Sequence, residues 1–309
     1  MRPLERTLCF ISILALLMSG EPVQAQNLDT GRAFNQPIQM DTVVVHSGFD
    51  VQAFIRRVRA DTTFFKSFKS MRVVEYSAVN DITAYDKKGN IAASLHSKTR
   101  QEIANGCRVT KVEEQTTSGD YYKRNGEDNY YTASLFDYLF TAKTPVCGET
   151  DVVGNSLEVQ GEGQMEHSKY QLKQLLFNPG AKISGIPFMG DRASIFDEGE
   201  AEKYDFKITR EMLGGIECLV FQIHPKPGYE SKVIYNEMKT WFRKTDYSII
   251  ARDYSLSYHT LVYDFDVAMK VRTTEKNGKL YPTLIDYDGN WHVVTKKRER
   301  VKFQAALQY

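Results

Sequence analysis

Asp264 and Asp266 stand two residues apart, as do Glu198 and Glu200. On a strand that spacing puts both carboxylates on one face, where mutual repulsion raises one pKa and creates an acid/base pair. The residues around the first pair argue for something plainer. Leu261, Tyr263, Phe265, Val267, Met269 and Val271 occupy the odd positions, while Asp264, Asp266, Lys270 and Arg272 occupy even ones. That alternation is a sheet strand with one face oily and the other in water. The six histidines (His46, His96, His167, His224, His259, His292) are scattered singly, with no HExxH pair for a zinc hydrolase. Ser156 in VVGNSLEV lacks the second glycine of a nucleophile elbow. GEGQME (161–166) begins like a dinucleotide fingerprint but places Glu166 where glycine is required. VTKKRERV alternates its charges and reads as a solvated strand edge or outer face. The expectation is therefore a protein without catalytic residues, metal or cofactor. An uncharacterised hydrolase, with a histidine and a carboxylate or serine converging in a cleft, remains as an alternative.

The chain ends and composition bound the setting. MRPLERT, the apolar run LCFISILALLMSG and a small residue at Ala25 form a secretory signal-peptide pattern over 1–25. The apolar run is shorter than the roughly 20 residues a membrane span needs, and no later segment would span as a helix. Localisation across the inner membrane, periplasmic or outer-membrane-associated, is expected. The 309-residue sequence has a formal net charge of +1, without the basic excess of a nucleic-acid binder. Its 18 Tyr and 17 Phe, against two Trp, favour strands. Cys107, Cys147 and Cys218 remain after processing. Cys107 and Cys147 flank turn-like sequence and are the expected disulfide. Cys218, in GIECLVFQI, reads as a buried small hydrophobe.

The elements follow from periodicity. Residues 26–49 read as a polar N-terminal arm with a short strand near 42–45. Asp50 and Asp61 are placed to cap two short amphipathic helices, the first carrying Phe54, Ile55 and Val58 and the second Phe64, Phe65 and Phe68. Hairpin strands follow, then a helical piece at SLFDYLF, a polar loop insertion at 143–166 and a short helix stopped by Asn178-Pro179-Gly180. The segment ISGIPFMGDRASIF is greasy but broken by glycine. From Tyr204 onward the sequence reads as an antiparallel meander, with turns expected at Gly214-Gly215, Thr245-Asp246, Asn277-Gly278 and Asp288-Gly289-Asn290. A sheet this long must curl, pair with a second sheet or be covered. The fold class is α+β, with residues 50–309 as one domain.

Three stretches carry a resemblance: FDVQAFIRRV at the helical start, EKYDFKITREMLGGIECLVFQIHPK (202–226) and KTWFRKTDYSIIARDYSLSY (239–258). In order and pattern they resemble the lipoprotein-localisation factor (LolA/LolB-like) superfamily of bacterial envelope proteins. The resemblance implies a strongly curved antiparallel sheet, an incomplete barrel, with helices covering its concave side. It also implies a hydrophobic partner: a small molecule, lipid or lipoprotein acyl chain. On that reading Phe54, Phe64 and Phe65 belong to the covering helices. Tyr254, Leu256, Tyr263, Phe265 and Met269 are candidates for the lining, and Ile186, Phe188 and Met189 for a lid. Arg252 falls among apolar residues. Either it finds an acceptor such as a ligand headgroup, or it packs its stem and sends its head to solvent. The competing reading is an envelope structural or interaction protein, bound to another envelope protein, whose same residues form a filled core.

Overall fold

Alternation of apolar and polar residues builds most of this molecule. The computed structural model describes residues 43–44, 51–152, 176–180, 192–197, 199–260, 263–293 and 297–309, and of 43, 44, 51, 52, 263 and 293 only the backbone. The signal-peptide pattern, the arm, most of the 143–166 insertion and the segment 181–191 lie outside the described residues. Residues 38–309 form one compact unit.

Twelve described strands make one antiparallel sheet. They are β1 (Val43–Val44), β2 (Tyr76–Tyr85), β3 (Ile91–Ala104), β4 (Cys107–Gly119), β5 (Val146–Cys147), β6 (Tyr204–Leu213), β7 (Ile216–Pro225), β8 (Tyr235–Arg243), β9 (Ile249–His259), β10 (Tyr263–Lys276), β11 (Lys279–Val293) and β12 (Glu299–Gln308). Their order is β1-β6-β7-β8-β9-β10-β11-β12-β2-β3-β4-β5, so the sheet is not closed into a barrel. The meander expected from Tyr204 runs unbroken from β6 to β12, and β12 then pairs with β2.

One sequence expectation fails inside β11. Asp288-Gly289-Asn290 is strand, not turn: Asp288, Gly289 and Asn290 pair in register with Ala268, Val267 and Asp266. Gly289 is there for space, because a Cβ at that position would stand 2.0 Å from the Tyr287 hydroxyl. Pro282, which lacks an N–H, is tolerated in β11 because it lies beside the register shift between Arg272 and Thr273. The basic stretch around Arg298–Arg300 runs into β12, an interior strand, so its charges mark an outer face and not an edge.

Three helices are described: α1 (Val51–Ala60), α2 (Thr63–Ser70) and α3 (Tyr131–Phe140). Asp61 caps α2 by accepting hydrogen bonds from the backbone N–H of Thr63 at 3.0 Å and of Phe64 at 3.4 Å. Asp50 lies outside the described residues. The start of α3 is capped from afar: the Glu299 carboxylate accepts from the N–H of Tyr131 at 2.7 Å and of Thr132 at 3.1 Å. Rings from the three helices meet one face of the sheet or Phe177, which packs beside it. Phe54 lies 5.3 Å from Phe242, Phe68 stacks 4.0 Å from Phe177, and Phe136 lies 5.3 Å from Phe303. With alternate residues of β7 through β3 they form one buried apolar cluster.

Candidate functional site

The face shared with α1 and α2 is built by strand parity. Phe221 of β7, Met238 and Phe242 of β8, Tyr254, Leu256 and Tyr258 of β9, and Phe265, Val267, Met269 and Val271 of β10 all enter the main cluster. A register shift between Trp241 and Phe242 bulges β9. Ile249 therefore joins the main cluster, while Ile250 and Ala251 turn to the opposite face with Cys218, Val220 and Trp241. Periodicity alone puts Ile250 beside Arg252; the bulge separates them.

Arg252 lies on the main face, opposite Thr240. Only 7% of it is exposed, so its head is not in solvent. Its Nε donates to the Thr240 hydroxyl at 3.0 Å, and its guanidinium carbon sits 4.3 Å from the centre of the Phe64 ring. Burial pulls its pKa down, against the field of Asp61. Beside it the Tyr235 hydroxyl accepts from the N–H of Gly180 at 2.9 Å, and the Tyr254 hydroxyl donates to the carbonyl of Leu176. Burial raises both phenols far above the ordinary tyrosine range, leaving both hydroxyls neutral.

The structure brings Phe54, Phe64, Phe65, Arg252, Tyr254, Leu256, Phe265 and Met269 into one buried region. Tyr263 opens β10, but its side chain lies outside the described residues, as do Ile186, Phe188 and Met189. Periodicity did not single out Tyr235, Thr240 or Tyr247. Tyr247, in the turn before β9, holds α1 through a 4.4 Å contact under the Arg57 guanidinium. A turn aromatic followed by an alternating strand was the signal available.

Three other constellations bear on chemistry. Arg108 is a second deeply buried guanidinium, and it has a carboxylate partner. Its Nε donates to Glu149, which also takes Arg72 at 2.8 Å, and its Nη1 reaches Gln101 at 3.4 Å. The adjoining cysteines fix that arrangement: the sulfurs of Cys107 and Cys147 are bonded. Burial, then Arg108, lowers the Arg72 pKa, and burial lifts the Tyr76 hydroxyl to about 12. Secondly, His259 Nδ1 meets Asp264 at 2.8 Å while its Nε2 lies 3.5 Å from Asp266, all at the surface. Thirdly, a small crevice with room for about one water molecule is lined by Phe136 and Phe140 of α3 and by Tyr76, Asn80, Thr99 and Leu307. None of the sequence-predicted lining residues reaches it. Cys218 is free and buried, and desolvation pushes its thiol up to about 11, so it remains a neutral thiol.

No family model matches the chain, and no curated protein matches it. Among solved structures, a DUF1329 family protein from Desulfovibrio piger is 12% identical over 82% of this chain and 89% of its own, with a TM-score of 0.22. A putative outer membrane lipoprotein-sorting protein domain from Vibrio parahaemolyticus is 11% identical over 79% of this chain and 90% of its own, with a TM-score of 0.24. Likenesses this faint carry no weight for fold or function. Among the described residues no helix is long and apolar enough to cross a membrane.

Proposed function

We propose that the chain is a non-catalytic envelope protein that takes a hydrophobic chain between its aromatic sheet face and α1 and α2. In this reading the open sheet curves as a half-barrel around the helices, which fill the trough until a guest enters. The supporting observation is the partnership of that face. The strands carry a continuous apolar surface across β7 to β12, and among the described residues it is met by three helices of 10, 8 and 10 residues together with Leu176 and Phe177. Helices this short are marginal alone and hold only by their packing. An acyl chain offers the same kind of contact, worth about 0.8 kcal/mol for each methylene removed from water, and the exchange requires no catalytic group. The signal-peptide pattern and the disulfide support an extracytoplasmic location.

A second reading, a scaffold with a permanently filled interior, is favoured by the burial of every described lining candidate. Native mass spectrometry of protein purified without delipidation separates the two. The carrier reading expects a bound acyl species, or uptake of a fluorescent fatty acid by the stripped protein. A clean apo mass with no uptake would sink it and leave the scaffold.

A further inference from the structure

Among the described residues two guanidiniums, those of Arg108 and Arg252, are deeply buried, and they are held differently. Arg108 has a carboxylate, Glu149, and an amide, Gln101. Arg252 has one hydroxyl. A guanidinium carries five N–H donors. Among the described residues, neither terminal nitrogen of Arg252 donates a hydrogen bond, and no carboxylate lies within ion-pair distance of it. The groups whose fields reach it are Asp61, Tyr235 and Tyr254. Asp61 is committed to the start of α2, taking the N–H of Thr63 at 3.0 Å and its hydroxyl at 2.9 Å. The two phenols are neutral. A guanidinium this buried gains from a further acceptor on its terminal nitrogens.

Its position says what kind of partner fits. Arg252 lies in the strand face opposite Thr240, with Tyr254 and Leu256 following on the same face of β9 and Met269 and Phe265 on β10. A polar anchor thus stands within the apolar face, with Val271 opposite it, Ile249 and Phe242 on one side and Tyr254 and Leu256 on the other. Phe64, in the first turn of α2, closes over the guanidinium. A headgroup reaching the guanidinium would have to displace the Phe64 ring.

We infer that Arg252 is the headgroup site for an anion-headed acyl chain, a carboxylate or phosphate pairing with the guanidinium while the hydrocarbon lies along Tyr254, Leu256, Phe265 and Met269. This rests on the carrier reading above and narrows it: an acyl chain with a neutral head leaves the guanidinium unmet. A planar guanidinium binds either anion through two parallel N–H bonds, so carboxylate and phosphate share the chemistry.

Three probes of equal chain length test it on the delipidated, full mature chain at pH 8: dodecanoate, monododecyl phosphate and neutral monolauroyl glycerol. Each is titrated by calorimetry. The expectation is that at least one anion binds about tenfold or more tightly than the glyceride, since a charge-assisted pair is stronger than a neutral one. The ratio between the two anions then distinguishes a fatty acid from a phosphate-headed lipid. In Arg252→Met the anion preference should vanish, with glyceride affinity kept. If the unmodified protein binds all three alike, Arg252 is no headgroup site although the carrier reading stands. If none binds, the carrier reading itself has failed. Both of these outcomes are measured on the unmodified protein, so a poorly folding variant does not obscure them.

Discussion

Asp264 illustrates how a residue that reads as a catalytic candidate becomes part of the surface. Its carboxylate meets His259 at the end of the neighbouring strand β9 and Arg298 just before β12. The hydrogen bond from His259, then Arg298, holds its pKa below the usual carboxylate value. A folded pKa depressed below the unfolded value of about 3.9 stabilises the protein above that pH. The contribution is lost as acid drives the pH through the lower, folded value. Asp264→Asn should therefore reduce the melting temperature throughout pH 5–8, and the gap to the parent should close below about pH 3.9. The effect should be small, below about 1 kcal/mol, because the group is partly in solvent. A gap that persists unchanged at pH 3 would show that ionisation is not its source. The plain reading of Asp264 and Asp266 was legible in the sequence because the alternation around them is regular. The burial of the Arg252 head was not, because alternation puts the side chain on the apolar face but does not tell that Phe64 of α2 covers it.

At the scale of elements, β11 shows why turn-forming residues mislead. Tyr287, Gly289 and Trp291 share one face. Tyr287 is buried and stacked 4.6 Å from Phe303, so its hydroxyl needs a partner without leaving the core. It leans along the strand across Gly289 and takes the indole N–H of Trp291. Only a residue without a side chain leaves that path open. Read locally, Asp-Gly-Asn signals a turn; read with Tyr287 and Trp291, the glycine is a slot. Gly289→Ala should destabilise the protein by about 1–3 kcal/mol through overpacking. In a Tyr287→Leu background most of that cost should disappear, which a double-mutant cycle by urea unfolding measures directly. Equal costs in both backgrounds would return Gly289 to an ordinary backbone role. The turns at Gly214-Gly215 and Asn277-Gly278 were correctly legible, since there the chain does adopt positive φ: 55° and 81° at the two glycines, 53° and 70° at Asn277 and Gly278.

At the scale of the whole molecule, the least legible feature is also the one that joins its halves. The sequence shows a meander from Tyr204, and separate hairpins before it, each from local pattern. Nothing local tells β12 to lie beside β2, because that pairing matches Arg300 with Tyr85 and Gln308 with Ser77 across most of the chain. What selects it is the shared demand of both strands to bury one face: Val301, Phe303, Ala305 and Leu307 from β12, Tyr76, Ala78, Ile82 and Ala84 from β2. β12 also sends Glu299 to the start of α3. One strand therefore closes the sheet order between the N-terminal and C-terminal strands and fixes a helix over the join. Removing residues 299–309 should expose the facing edges of β11 and β2 together and uncap α3. The truncated chain should lose a single cooperative urea transition, because the slope of unfolding tracks the surface that one event exposes. A peptide of residues 297–309 supplied in trans should restore part of the transition by adding the missing strand. If the truncated chain instead unfolds in one step with the parent's slope, β2–β4 and β6–β11 hold together through the helices alone. The sheet order would then be a consequence of the helix-packed core and not its cause.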